Sequence, residues 1–433
     1  MRSMEPRSRQ LLLTEEEKRE IAAHVAKECG RLIPTDDPLF DLAVLNERVL
    51  RRTAEKVGDR ITSSLVGELN RVLSAHLDQI HEKLSADVDE KAEAAVEAVE
   101  EASTTTASSG NWADRTSIGG YGEMHYNNTD SKEEIDFHRF VLYFGHEFTD
   151  RIRMMTELEL EHAVSGDGQN GEVELEQAYV EFDLTERHSA KAGVFLLPVG
   201  ILNETHEPPT FYGVERNPVE KNIIPTTWWA GGAEMVGEIA PGWSYNFGIH
   251  EGLKTSLDDN YAVRKGRQKT SKAQADDLAS TGRIKWTGMP GIEIAGTVQY
   301  QSDMTQGNDS SADDAWLFEA HTDIQRGPYG LRALYARWEL NGSGPESVGA
   351  DEQWGYYIEP SYKLTDSIGI FARYNQWDNR AGDNADSEYA QWDVGVNYWL
   401  HPNVVFKLDY QDQDAPFGKK EMDGWNLGVG YQF

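Results

Sequence analysis

The end of the chain alternates between two kinds of side chain. Counting back from the C-terminus, large apolar residues stand at Phe433, Tyr431, Val429, Leu427 and Trp425, and glycine or polar residues stand between them. Successive side chains of a strand point to opposite faces, whereas this spacing would scatter the same residues around a helix. The pattern predicts a strand with lipid on one face and a polar lumen on the other. An ordinary sandwich strand with one wet face also fits this segment taken alone.

Similar alternating segments are separated by connections of two kinds. The short turn signals are FTDR (148–151), LTERHS (184–189), APGWS (240–244), GMPGI (288–292), RGPYG (326–330), LTDS (364–367) and HPN (401–403). The longer polar stretches are 127–134, 164–172, 197–228, 253–278, 302–314, 341–353, 378–388 and 411–423. Short and long connections therefore alternate along the chain, and they predict sixteen antiparallel strands.

Sixteen strands satisfy all of their edges only when they close into a barrel. An even strand number, with short turns at one end and long loops at the other, is typical of outer-membrane barrels. A closed sheet of this size leaves a lumen that is too wide for side chains to fill. The pattern predicts an all-β transmembrane barrel over residues 116–433, located in the outer membrane of a Gram-negative bacterium and enclosing a water-filled pore.

The first part of the chain has a different composition. Residues 1–110 contain no Trp and no Tyr, and all 12 Trp and 18 Tyr follow them. From Val57 to Val99 apolar residues recur every three or four positions, which predicts one long helix able to self-associate as a coiled coil. We expect a helical segment over 1–102 and a linker over 103–115, which includes the run STTTASSG.

Charge and composition exclude several functions. The chain has 41 Lys and Arg against 74 Asp and Glu, a net charge of −33, which disfavours nucleic-acid binding. Its one Cys excludes a disulfide framework and a thiolate metal site. Neither GxSxG nor HExxH occurs, and closely spaced carboxylates such as Glu157 and Glu159 are also what a lumen wall requires. We expect no enzymatic activity and no cofactor.

The run AKAGVFLLPVGILNETHEPPTFYGVERNPVEKNIIPTTWWAGG (190–232) follows LEQAYVEFDL (175–184) in a chain that ends in Phe433. These segments resemble bacterial outer-membrane porins of the phosphate-selective porin O/P superfamily, and the resemblance covers residues 116–433. It implies a homotrimeric diffusion channel, often with a coiled-coil stretch before the barrel. It also implies lipid and lipopolysaccharide as surroundings, and recognition of the terminal strand by the barrel-assembly machinery, with Trp425, Tyr431 and Phe433 as the assembly signal.

The resemblance implies that the third long connection, about 197–228, folds into the lumen and sets the constriction. Pro208, Pro209, Pro218 and Pro225 stiffen this connection. Alternatively, Glu215 with Arg216 and Glu220 with Lys221 pair and only pin the loop to the wall. The candidate constriction residues are Glu204, His206, Glu207, Tyr212, Glu215, Arg216, Glu220 and Lys221.

The lumen wall is predicted from strand parity, with apolar residues taken as facing lipid. This assigns to the pore lining Arg139, Arg153, Glu157, Glu159, Glu181, Lys191, Arg283, Lys285, Glu319, Arg337, Glu359, Arg373, Asp393, Lys407 and Asp409. Such a mixed lining screens solutes by charge, and further acidic residues at lumen-facing positions, among them Glu161, Glu293 and Asp323, give a surplus of acid that favours cations modestly. A basic island between Arg264 and Lys272 could gather anions or lipopolysaccharide phosphates, or remain a solvated loop.

We therefore expect a porin, a passive diffusion channel for small hydrophilic solutes and ions. The alternative is a soluble β-rich protein that binds sugars or other ligands and carries a helical oligomerisation stalk. One feature conflicts with a porin: residues 1–18 contain basic residues but only three consecutive leucines, unlike a secretory signal peptide. We expect either that the natural N-terminus was lost or replaced, or that a helical segment was joined to a porin by gene fusion or assembly error.

Overall fold

The computed structural model describes residues 112–164, 166 and 171–433. Within them, sixteen antiparallel strands close into one barrel in which neighbours in sequence pair and β1 pairs with β16. The predicted closed barrel is confirmed, with β1 beginning at Thr116. The predicted helical segment 1–102 and most of the predicted linker lie outside the described residues, and Trp112–Arg115 form a short 3-10 turn before β1.

The first eight strands are β1 (Thr116–Thr129), β2 (Glu133–Thr149), β3 (Ile152–Glu161), β4 (Val173–Asp183), β5 (His188–Leu196), β6 (Trp229–Ala240), β7 (Trp243–His250) and β8 (Ala279–Met289). The second eight are β9 (Ile292–Gln301), β10 (Ala315–Arg326), β11 (Tyr329–Leu340), β12 (Glu352–Lys363), β13 (Ile368–Asp378), β14 (Tyr389–His401), β15 (Val404–Asp414) and β16 (Gly424–Gln432).

All seven short turns lie where the turn signals predicted them. The connection between β1 and β2 is shorter than expected, residues 130–132, because both strands continue into the predicted polar stretch. The loops contain two short helices, α1 (Pro218–Asn222) and α2 (Ser343–Ser347), and 3-10 turns at Pro208–Thr210, Leu257–Asp259 and Val263–Gly266. No helix in the described part of the chain is long and apolar enough to span a membrane.

The barrel closes at the two ends of the sheet. Gly120 and the terminal Phe433 exchange both backbone hydrogen bonds, at 3.0 and 2.9 Å. On the outer face of β16, Trp425 packs against Tyr410 with ring centroids 5.1 Å apart. The strictly alternating terminal segment therefore completes the last edge, and it leaves no unpaired strand at the seam.

Large apolar side chains cover the outer face, and aromatic pairs lie near both of its ends. Trp243 and Trp286 meet near the short turns with centroids 6.4 Å apart. Tyr300 and Trp316 meet near the long loops at 4.6 Å. Amphipathic aromatic rings of this kind occupy the two membrane–water interfaces of transmembrane barrels.

The connection between β5 and β6, residues 197–228, is the third loop, and Glu220 of α1 anchors it. The Glu220 carboxylate accepts hydrogen bonds from the N–H groups of Ile201 and Leu202, at 2.9 and 2.6 Å. It also accepts the Tyr357 hydroxyl of β12 at 2.8 Å. Burial raises the pKa of Glu220, although these donors oppose the rise. One fully buried carboxylate thus joins the start of the loop, its helix and the barrel wall.

Ala320 tests which face meets lipid, because it is exposed near the middle of β10. Ala320→Arg should lower the free energy of unfolding in lipid vesicles by about 2–4 kcal/mol, the cost of a charged side chain near the bilayer midplane. Urea unfolding followed by tryptophan fluorescence measures this change. The control, Ala320→Leu, should leave stability unchanged, and equal losses for both variants would contradict a lipid-facing Ala320.

Glu220→Ala should destabilise the protein in the same unfolding assay. The substitution leaves the buried donors without an acceptor, at a cost of about 1–3 kcal/mol for each group. Glu220→Gln retains an acceptor oxygen and should lose less than half as much. Equal losses for the two variants would show that the anchor depends on the negative charge and not on the acceptor geometry.

Candidate functional site

The third loop crosses the inside of the barrel. Three groups in its central part bind the wall formed by β13, β14 and β15. The carbonyl oxygens of Phe211 and Tyr212 accept Asn397 Nδ2 at 2.9 Å and Arg373 Nη1 at 3.3 Å. The N–H of Val214 donates to Asp409 Oδ2 at 2.7 Å. These strands lie half-way around the barrel from β5 and β6, so the loop spans the interior.

An apolar core lies inside the barrel, between the third loop and the wall of β10 to β12. Leu197 and Ile223 of the loop pack with Leu317, Leu334 and Trp338, all of them buried. The Trp338 Nε1–H also donates to the Ile223 carbonyl at 2.9 Å. The third loop therefore fills part of the lumen, whereas the sequence predicted a wide lumen filled with water.

This inner core makes the prediction for Arg337 wrong. Leu334 and Trp338 face inwards, so the intervening odd positions of β11 face outwards. Arg337 lies on the outer side near the long loops, where it pairs with Glu339 and Glu352, each at 3.2 Å. The rule that apolar residues face lipid fails on this strand because the third loop supplies a second apolar environment.

The other predicted lining residues lie on the inner side of the wall, and most of them form charge pairs. The pairs are Arg139 with Glu123, Arg153 with Glu181, Lys191 with Glu234, Lys285 with Glu293, and Arg373 with Glu359 and Asp393. Glu157, Glu159, Glu319 and Asp409 are buried on the same side, and Lys407 Nζ lies 3.4 Å from the centroid of the Phe211 ring. Each pair sets opposite charges side by side, which reduces the field that either charge exerts on a passing solute.

The acidic residues of the third loop bind the wall, not their basic neighbours in sequence. Glu204 pairs with Arg283 of β8. Glu215 contacts His125 Nδ1 at 3.1 Å and Asn127 Nδ2 at 3.0 Å. No pair of Glu215 with Arg216, or of Glu220 with Lys221, occurs among the described residues. The alternative of two local ion pairs is therefore wrong, and the loop is held by contacts with distant strands.

These contacts set the protonation of Glu204 and Glu215, which are both partly exposed. Burial alone would raise the pKa of Glu204, but the Arg283 guanidinium holds it below its usual value. In the same way, the His125 ring holds the pKa of Glu215 well below its usual value against the effect of burial. Both side chains remain about one-third exposed, so they present negative charge to the interior at neutral pH.

The remaining predicted loop residues have different environments. Glu207 lies 3.5 Å from the Tyr143 hydroxyl, and the Tyr212 ring packs against Phe371 at 5.4 Å between centroids. Arg216 donates to Thr227 Oγ1 at 2.5 Å, whereas Lys221 is exposed. His206 is buried between strands β3 and β4 and the loop.

The fourth loop, residues 251–278, also folds over the interior. Arg264 Nη1 donates to the carbonyls of Lys221 and Thr226 at 2.8 and 2.9 Å, and Arg267 Nη1 donates to Thr227 at 2.6 Å. Burial, together with the neighbouring Arg267, lowers the pKa of Arg264 to about 10. The basic island is therefore packed on the third loop, and the reading of a solvated loop is wrong for these two arginines.

Cavities lie on both sides of the third loop. On the long-loop side, a cavity of about 360 Å³ is bounded by basic groups of the two loops, including Lys221 and Lys269, and by acidic groups of β3 and β4, including Glu161 and Glu174. A second cavity of about 410 Å³ shares Lys221 and Glu215 with it. On the short-turn side, Glu204 and Lys285 line a cavity of about 440 Å³.

Sequence parity missed Glu174 and Glu176, which both face inwards. The pairing of β3 with β4 shifts register between Glu157 and Leu158, so β4 carries an extra residue. Glu176 and Gln177 consequently share the inner side, and Gln177 Nε2 donates to Glu157 Oε2 at 2.6 Å. A bulge changes the parity of a strand without leaving a clear mark in the sequence.

Comparison with known proteins gives one family model and one substantial relative. The model of Gram-negative porins matches residues 252–418. A protein of Aquifex aeolicus (strain VF5), described as uncharacterised, is 31% identical over 359 residues, which cover 73% of this chain and 80% of that protein. The finer assignment to the phosphate-selective porins O and P stays a prediction.

Solved structures with the same fold include the outer-membrane channel DcaP of Acinetobacter baumannii, at 16% identity and a TM-score of 0.52, covering 73% of this chain and 97% of that chain. They also include the trimer form of in-vitro folded OmpT, an outer-membrane protein of Vibrio cholerae, at 12% identity and a TM-score of 0.51, covering 73% and 99%. The chain and the Aquifex aeolicus protein belong to one family. The match to the Gram-negative porin model and the closed sixteen-stranded barrel together support an outer-membrane channel of Gram-negative porin type.

Proposed function

We propose that the protein is a porin in which small hydrophilic solutes and ions diffuse passively past a charged constriction formed by the third loop. The supporting observation is the loop's path across the interior, from β5 to the wall of β13 to β15. Glu204, Glu215 and Lys221 of this loop border cavities on its two sides. A solute that crosses the barrel would pass these side chains.

The charges around the constriction favour weak selectivity. Basic side chains on the loops, such as Lys221 and Arg267, stand beside acidic side chains on β3 and β4, such as Glu161 and Glu174. Opposite charges set side by side screen solutes by charge and dipole, but they do not create a strong barrier to ions of one sign. A phosphate-specific pore would need Arg and Lys in the narrow region with few competing carboxylates. Because acidic side chains outnumber basic ones among the buried residues of the inner wall, we infer a modest preference for cations.

The assembly that we propose is a homotrimer in outer-membrane lipid and lipopolysaccharide. Its support is the fold shared with a porin-like barrel solved in a trimer form. We further propose that the barrel-assembly machinery reads the terminal strand, where Trp425 and Tyr431 lie on the outer face and Phe433 ends the chain.

The alternative of a soluble ligand-binding protein is not favoured. Exposed apolar residues such as Val394, Trp392 and Ile294 cover the outer face of the barrel, where a soluble protein would carry polar groups. Purification that succeeds without detergent would revive this alternative.

Channel recordings in planar bilayers test the proposal, with the reversal potential measured under a potassium chloride gradient. We expect conductance steps and a modest cation preference. Lys221→Glu should raise the cation-to-anion permeability ratio roughly threefold, as expected when a change of two unit charges acts on both ions across about one Debye length of water. Absence of conductance steps would overturn the porin assignment.

Lys419→Glu is the matched control, because it makes the same charge change in the exposed loop 415–423. This variant should keep the wild-type reversal potential. If both variants shift the potential equally, the charge acts through the general surface potential, and the third loop does not form the selective constriction.

A further inference from the structure

Three ionisable side chains lie close together where the third loop contacts strands β3 and β4, and the proposed channel function does not use them. His206 of the loop lies against Glu157 of β3 and Glu176 of β4. Their exposed fractions are 2%, 1% and 1%. The His206 Nε2 atom is 3.7 Å from Glu157 Oε1 and 3.6 Å from Glu176 Oε2. All three ligand-type atoms lie within 4.8 Å of one another.

None of these three atoms has a hydrogen-bond partner within the described part of the chain. A buried polar atom without a partner costs free energy, and native structures satisfy nearly all such atoms. Three unpartnered atoms that converge on one point therefore indicate that something occupies the space between them.

The other nitrogen of His206 determines what can occupy it. His206 Nδ1 is 3.2 Å from the backbone carbonyl oxygen of Asn203. Because a carbonyl oxygen only accepts, we assign the hydrogen of this contact to Nδ1. The neutral ring then directs the Nε2 lone pair towards the two carboxylates. A backbone carbonyl that accepts Nδ1–H is one of the usual partners of a metal-binding histidine.

A second buried histidine shows how the barrel accommodates a proton instead. His321 places Nδ1 2.6 Å from Glu319 Oε1 and Nε2 3.3 Å from Glu293 Oε1. Both nitrogens are hydrogen-bonded to carboxylates, so a charged imidazolium satisfies the site. A proton on His206 Nε2 would instead lie beyond hydrogen-bond distance of both carboxylates.

We propose that His206, Glu157 and Glu176 bind one divalent transition-metal ion of the Zn²⁺ type. Atoms 3.6–3.7 Å apart can both lie about 2.1 Å from one ion at an angle of about 120°, which suits zinc with nitrogen and oxygen ligands. Two carboxylates balance the charge of the ion. The Gln177 amide, which binds the second oxygen of Glu157, orients that ligand as outer-shell partners do.

Such an ion would join the third loop to the wall at the register shift of β4. Glu176 faces inwards because of that shift, and the hydrogen bond of His206 to Asn203 lies near the start of the loop. The ion would complement the Glu220 anchor, which holds the loop to β12 on another side. Its role is structural, because the three protein ligands are almost fully buried.

A second cluster must be removed before the site is measured. Asp136, His138 and His162 also lie within 4.8 Å of one another, and both histidines contact Asp136 Oδ2, at 3.1 and 2.7 Å. His162 is exposed, so this cluster can bind added metal at the surface. All measurements are therefore made on the full chain with His162→Asn.

The experiment refolds this chain in detergent with and without Zn²⁺, removes loosely bound metal, and measures zinc per chain and zinc affinity. Co²⁺ replaces Zn²⁺ in parallel, and its visible absorption reports the ligand set. We expect one tight ion per chain. His206→Asn and Glu176→Gln should each weaken affinity at least about tenfold and change the cobalt spectrum.

His321→Asn is the matched control, since it alters the other buried histidine flanked by two glutamates, and it should leave zinc content unchanged. If His206→Asn does not fold, Glu176→Gln alone decides the matter. Chains refolded with Zn²⁺ that hold no ion, or that hold it equally in the Glu176→Gln variant, would overturn the proposal. Zinc content is measured without conductance, so a failure here is distinct from a failure of the proposed channel function.

Discussion

Closure of the sheet is the constraint on which the rest of the structure depends. In lipid, a backbone N–H or C=O without a partner costs several kcal/mol, so a sheet can cross a membrane only when its first and last strands pair. Here that pairing joins β1 to β16, and Gly120 bonds the terminal residue Phe433. Closing a sheet whose neighbouring strands are all antiparallel requires an even number of strands, and it places alternate connections at opposite ends of the barrel.

A barrel of sixteen strands leaves an interior that strand side chains cannot fill, and two loops occupy part of it. The third loop creates a dry half, where Leu197 and Ile223 pack on Leu334 and Trp338. The other half stays polar, with charged side chains on β1 to β4 and on the fourth loop. The interior thus contains an apolar core packed like that of a soluble protein, and beside it a charged lining like that of a pore.

Charges inside the barrel act mainly by fixing loops. Glu204, Glu215 and Glu220 each bind a group on the wall, and Asp409 binds the backbone of the loop on the far side. Because a buried charge is costly unless it is paired and hydrogen-bonded, these contacts hold the loop in one position. Only the partly exposed charged side chains then remain to act on a passing solute. The net charge of −33 is consequently a poor guide to selectivity.

The sequence by itself determined the barrel, because the period-2 alternation that ends at Phe433 and the turn signals are local features that do not depend on distant contacts. It also identified the third loop through its family motif. Tertiary structure alone decided which way Arg337 faces. Trp338 could pack on lipid outside the barrel or on the third loop inside it; it packs on the loop, so its neighbour Arg337 faces outwards. Tertiary structure also brought Glu176 to His206, because a register shift between two strands reverses side-chain direction and no local pattern records it.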